Sequence, residues 1–124
     1  MKKEDLIKRS RGFAILNAIL IKDLPYNIIN KNYSNQLIRC SSSPGANYRA
    51  ACRAKSKADF INKLKIVEEE LDESLYFLDL LIEFNQDFKQ RITEIIKEGN
   101  ELLSIIVASI NTLRNGVNGA NLKS

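Results

Sequence analysis

Residues 56–84 read SKADFINKLKIVEEELDESLYFLDLLIEF. Phe60, Leu64, Val67, Leu71, Ser74, Leu78 and Leu81 recur at alternating steps of four and three, the spacing of one stripe on an α-helix. Ile61, Leu75 and Ile82 widen that stripe. Ser56, with Asp59 three positions on, makes a short-armed capping box and marks the start. At about 1.5 Å per residue the helix is about 43 Å long. A second stripe follows almost at once, through Phe88, Ile92, Ile95, Gly99, Leu102, Ile106, Ile110 and Leu113. Two long helices separated only by Asn85-Gln86 must pack antiparallel.

Upstream, Leu6, Ser10, Phe13, Asn17, Leu20 and Leu24 carry the same spacing, until Pro25 stops the helix. Tyr26–Asn32, with its three asparagines, reads as a connecting loop. The next segment admits two readings. Ser43-Pro44 taken alone is a good helix start. Against it, Tyr33, Leu37, Cys40, Pro44, Asn47 and Ala51 hold the four-three spacing across the proline, and the continuous helix is preferred. Pro44 then leaves the Cys40 carbonyl without its helical donor, at a cost of about 3 kcal/mol and a bend. The run Ser41-Ser42-Ser43 is expected to fill part of that gap. The fold class expected is all-α, an antiparallel up-and-down four-helix bundle over residues 1–115. Its helices lie at about 4–23, 33–53, 56–84 and 87–114, with 116–124 as a flexible tail.

Composition agrees with this. The 124 residues are 44% hydrophobic, enough for one core, and hold only two prolines and five glycines. Histidine is absent. That removes the usual acid–base catalyst, the Ser-His and Cys-His nucleophile systems and the histidine ligands of di-iron bundles. No glycine-rich phosphate loop is present. Carboxylates remain: Glu68, Glu69, Glu70, Asp72 and Glu73, with Glu94, Glu98 and Glu101. Glu69/Glu73 and Glu94/Glu98 have the spacing to share a divalent cation. The stripe, however, gives the inward positions to Val67, Leu71, Ile95 and Leu102, so these acids read as solvated faces. Neither an enzyme, a cofactor nor a metal site is expected.

Cys40 and Cys52, twelve positions apart on one helix, stand about 18 Å from each other, too far to bond. Two reduced thiols fit a cytoplasmic protein. The apolar run Phe13–Ile21 is interrupted by Asn17 and lacks a cleavage site, so no signal peptide is expected, and no segment has the length of a membrane span.

The net charge of +4 hides an asymmetry. Residues 1–65 hold fourteen Lys/Arg against four acids; residues 66–124 hold five against eleven. Arg39, Arg49 and Arg53 fall on one side of the second helix, and Lys55, Lys57 and Lys63 continue from the turn into the third. Tyr48 lies beside them as a base-stacking candidate. Such a footprint suits an RNA or DNA backbone read without sequence preference. It also suits ordinary solvated helix faces. Self-association is the other use: a ring needs two complementary patches, and Lys63 and Lys65 against Glu69 and Glu73 of a neighbour would supply them. The same charges are open to neutralisation within the chain, Lys65 with Glu69 for example. Ser41, Gly45, Ala46, Ala50 and Ala51 invite close approach of a backbone, either within the chain or from a second subunit.

One string is recognisable. Gln36-Leu37-Ile38-Arg39, Ser43 to Asn47, Tyr48-Arg49-Ala50-Ala51, Ser56-Lys57-Ala58-Asp59-Phe60 and Lys63-Leu64 resemble the bacterial four-helix-bundle family of 23S ribosomal RNA intervening-sequence proteins. Glu68-Glu69-Glu70, Asp72-Glu73-Ser74-Leu75 and Leu78 resemble its third helix. The match covers Gln36–Leu81; the outer helices agree in length and pattern only. Pro44 departs from the family's more usual β-branched residue, though proline one position later is familiar there. The resemblance implies a homopentameric ring. It also implies a non-enzymatic accessory or scaffold role, with nucleic acid and a protein such as a reverse transcriptase as partners. It brings no catalytic residues. A protein-interaction module that binds no nucleic acid is the alternative.

Overall fold

The computed structural model describes residues 1–123, with side chains through Gly116. Four helices follow one another: α1 (Lys3–Asp23), α2 (Ile28–Ala51), α3 (Lys57–Phe84) and α4 (Lys89–Lys123), with a 3-10 turn at Gln86–Phe88 before the last. Each helix packs on its neighbours in sequence and α1 closes onto α4, while the backbones of the diagonal pairs stay apart. This is an all-α, up-and-down four-helix bundle. The α2–α3 seam is the most extensive and the α1–α4 seam the least. Among the described residues no helix is long and apolar enough to cross a membrane. The tail expected over 116–124 lies, beyond Gly116, outside the residues whose side chains are described.

The stripes become the core. Phe13, Leu20, Leu37, Leu64, Leu71, Leu78, Leu81, Ile92 and Leu102 are fully buried, and Tyr33, Phe60, Phe77 and Ile82 pack around them. Gly99 sits where α4 crosses α1 and α3, with the Phe13 ring and the Leu75 side chain against its α-carbon face. Polar residues are buried in this core as well, Ser10, Asn17 and Ser74 on the stripes and Ser41 beside one. Asn17 and Ser41 are wholly buried, and the Asn17 Oδ1 and Ser41 Oγ atoms have no partner.

α2 differs from its sequence reading at both ends. It starts at Ile28, where a loop was expected as far as Asn32, and ends at Ala51. The Asn27 side chain accepts from the Asn30 backbone N–H at 2.8 Å, which caps the helix and fixes its start. Its first inward residues are Asn30 and Ser34, both buried. Hydropathy cannot register a stripe that begins in amides and hydroxyls. The helix runs unbroken through Pro44, as the spacing required. Of the serines before it, Ser42 donates to the Ile38 carbonyl at 2.7 Å. No described hydrogen bond from Ser41, Ser42 or Ser43 reaches the Cys40 carbonyl.

Gly45 answers the question of the small residues in part. A Cβ there would meet the Ser10 backbone at 3.5 Å, so this glycine lies against α1 of its own chain. Ser41 and Ala51 are likewise buried within the bundle, whereas Ala46 faces outward.

At the end of the bundle that holds the α1–α2 and α3–α4 connections, Asn30 and Asn85 exchange side-chain hydrogen bonds. Asn30 Nδ2 donates to Asn85 Oδ1 at 2.9 Å and Asn85 Nδ2 donates to Asn30 Oδ1 at 2.8 Å. Each amide also donates to a carbonyl, Pro25 and Leu81 respectively, both at 2.8 Å. Both residues are buried, so the pair meets the requirement that buried amides find partners.

Candidate nucleic-acid interface

The opposite end of the bundle gathers the start of α1, the end of α2 and the start of α3. Ser56 caps α3 there by accepting from the Asp59 N–H at 3.0 Å. The chain crosses from α2 to α3 through Cys52–Ser56, which places Arg53 and Lys55 on the connection and Lys57 in the first turn of α3. All three cations are exposed.

A cavity of about 410 Å³ opens at this end, lined by Lys3, Tyr48, Ala51, Cys52, Ala54, Ser56, Lys57 and Phe60. Beside it, a groove of about 530 Å³ runs between α1 and α2. Ile7, Ala14, Gly45 and Ala46 give it an apolar floor, and Arg11 and Arg49 its charge. Arg49 thus meets a cation from α1, as Lys57 does in the cavity. Lys3 and Arg11 were missed in the sequence because Arg11 lies off the core stripe and Lys3 precedes the expected helix start. The signal was present: Lys3, Ile7, Arg11 and Ala14 recur at steps of four, four and three.

The arginines sort into two groups. Arg9 holds Glu98 through both Nε, at 3.1 Å, and Nη2, at 2.5 Å, and reaches Glu101 at 3.1 Å. The hydrogen bond to Glu98 leads the effects that raise its already high pKa. Arg91 pairs with Asp23 at 2.9 Å. Arg39 pairs with Glu73 at 2.6 Å and Glu70 at 3.4 Å. These three stitch α1 to α4 and α2 to α3. Among the described residues Arg11, Arg49, Arg53 and Arg114 make no ion pair, and neither do Lys55, Lys57 and Lys63.

The structure therefore divides the expected site. Arg39 belongs to the α2–α3 seam, its charge met by two carboxylates, while Arg49 faces the groove toward α1. Lys63 is half-buried on α3. Of the expected subunit contact, Glu73 is held by Arg39 of the same chain, and Lys65 and Glu69 stand exposed without pairing to each other. Glu98 is likewise engaged by Arg9. Among the described residues no group of three or more Cys, Asp or Glu side chains is placed to hold a metal ion.

Tyr48 forms the inner wall of the cavity. Only 6% exposed, it has its phenol pushed up to about 12, first by burial and then by the Cys52 thiol beside it and by Glu4. Burial also pushes the Cys40 thiol up. Cys52 is half-exposed in the cavity; Cys40 is sealed in the core.

Comparison with known proteins bears on this arrangement. No functionally curated protein matches the sequence. A protein of unknown function from the S23 ribosomal protein family, from Bacteroides thetaiotaomicron, has a solved structure that superposes with a TM-score of 0.78 at 33% identity. The match covers 90% of this chain and all of that one. The model of the 23S rRNA-intervening sequence protein family matches residues 2–108. With the bundle, its helix order and nearly its whole length in agreement, the chain belongs to the 23S rRNA-intervening sequence protein family.

Proposed function

We propose that this protein is a non-enzymatic, oligomeric accessory or scaffold factor that binds RNA or DNA through the phosphate backbone. Cations at the end of the bundle where α2 passes into α3 make the contacts. One observation carries the reading. Among the described residues, every arginine with a carboxylate within reach is used to hold helices together, whereas Arg11, Arg49 and Arg53 make no ion pair and are accompanied by Lys3, Lys55 and Lys57. Unpaired cations facing solvent are what a polyanion needs, because each phosphate they neutralise releases a counterion. Affinity for a mixed-sequence RNA or DNA should fall steeply with salt, and Arg53→Glu with Lys55→Glu should abolish it. Unchanged binding by that double variant removes the proposal.

Assembly into a homopentameric ring in the cytoplasm is part of the same reading. A ring needs two different patches on one chain. The apolar groove of α1 and α2, with Arg11 and Arg49 on it, supports one. The outer face of α3, where Ile66 and Tyr76 lie exposed among Glu69 and Asp72, supports the other. The groove equally favours the second reading, a protein-interaction module that binds no nucleic acid at physiological salt. Absolute mass in solution separates the parts. Glu69→Lys with Asp72→Lys should dissociate the ring, and it leaves nucleic-acid binding in place only under the first reading.

A further inference from the structure

The cavity at the basic end has more to it than charge. A duplex backbone needs only cations on a convex or grooved surface, yet Tyr48, Ala51, Ala54 and Phe60 line this cavity with apolar and aromatic groups between Lys3 and Lys57. Its volume, about 410 Å³, falls in the range of small-molecule sites, roughly 300–1,000 Å³. The Phe60 ring is half-buried at the wall. The Tyr48 phenol, in a side chain 6% exposed, lies beside the Cys52 thiol, a weak hydrogen-bonding partner, and within reach of the Glu4 charge. Tyr48 and Cys52 both line the cavity, and no described hydrogen bond engages the Tyr48 phenol.

We propose that this cavity takes one unpaired nucleotide, the base lying on Phe60 and meeting the Tyr48 phenol, its phosphate between Lys3 and Lys57. The inference rests on the basic end being the nucleic-acid face and specifies which form that face prefers. A base within a duplex is stacked and paired and cannot enter, whereas a base in a single strand can turn out onto an aromatic ring. The protein therefore favours single-stranded RNA or DNA over a duplex carrying the same charge. Any base suffices, because stacking uses the ring face common to all four.

The chain carries its own reporter. Cys52 lines the cavity and is open to iodoacetamide, while Cys40, fully buried, serves as the internal control. A saturating short oligothymidylate should slow Cys52 alkylation about tenfold, and a saturating duplex of equal length should leave it unchanged. Ala54→Trp, which fills the cavity without touching a charge, should weaken oligothymidylate binding about tenfold and spare the duplex. Alkylation of Cys52 at the free rate while oligothymidylate is bound overturns the inference. So does equal affinity of Ala54→Trp and the parent chain for the single strand. In either case loss of binding by Arg53→Glu with Lys55→Glu would leave the basic end standing as the interface. If the parent chain binds neither form, the interface and the inference fall together.

Discussion

Removing the Asn30–Asn85 pair tests whether the two connections at that end of the bundle are held as one unit. Asn30→Ala deletes both mutual hydrogen bonds and leaves the Asn85 Oδ1 and the Pro25 carbonyl without their donor. A net hydrogen bond contributes about 1 kcal/mol, and a buried group left unsatisfied costs about 1–3 kcal/mol. The single substitution should therefore destabilise by about 3 kcal/mol. Asn85→Ala should do the same, since it also abandons the Leu81 carbonyl. In the double variant the mutual bonds are lost once, not twice, and no partner amide is stranded. Its loss should be about 4 kcal/mol, giving a coupling of about 2 kcal/mol. Against a total stability of about 5–15 kcal/mol this is readily measured by urea denaturation, provided the slope with denaturant stays constant. Losses that add to within about 0.5 kcal/mol would show that the two amides act independently and refute the reasoning.

Glycine substitutions should have opposite signs at two sites. Gly12→Ala meets nothing within 4 Å and should stabilise by about 1 kcal/mol through helix propensity. Gly99→Ala would place its Cβ 2.8 Å from Leu75 Cδ2 and 3.0 Å from Phe13 Cε1, a clash with a fully buried ring that should outweigh that gain and destabilise by about 1 kcal/mol. Thermal or urea unfolding of both variants checks the contrast. Arg39→Gln should cost no more than about 1 kcal/mol, its side chain being 53% exposed, and should leave nucleic-acid affinity unchanged in a salt-dependence assay. Tyr48, with its folded pKa at about 12 against an ordinary value of about 10, keeps its proton where the unfolded chain releases it. Its contribution is complete below about pH 10 and falls away toward about pH 12 by roughly 1.4 kcal/mol per pH unit. Urea midpoints across that interval should decline less steeply in Tyr48→Phe.

How far the sequence could be read depended on the chemistry of each stripe. In α3 and α4 the inward positions are leucine and isoleucine, and Leu64, Leu71, Leu78, Ile92, Leu102 and Ile106 are buried where their spacing put them. In α2 the inward row begins Asn30 and Ser34, which look like loop residues until the Asn27 cap and the Asn85 amide are seen. The same helix buries Tyr48 in preference to the expected Asn47, because its inward row steps four residues from Pro44. The site was legible as composition but not as geometry. Arg39 and Arg49 share α2 and Arg53 follows just past its end, yet what sets Arg39 apart is the carboxylates that the register of α3 brings to it. Lys3 and Arg11 join Lys57 and Arg49 only through the packing of α1 on α2 and of α2 on α3, and such packing is a long-range property.

The makeup of α2 has a consequence for how the chain reaches this structure. In 24 residues it holds four asparagines, four serines, a glycine and an internal proline, and among the weakest helix formers known. Such a segment has little reason to coil before a surface exists to receive it. The α3–α4 hairpin, rich in leucine, isoleucine and glutamate and joined by a short turn, can provide that surface. Folding then begins in the C-terminal half, and α2 docks after the rate-limiting barrier. Substitutions on α2 would hasten unfolding and leave the folding rate nearly untouched, while those on α3 and α4 would slow folding itself. The segment bearing Arg49 and Tyr48 is thus built late, on a surface that the α3–α4 hairpin has already made.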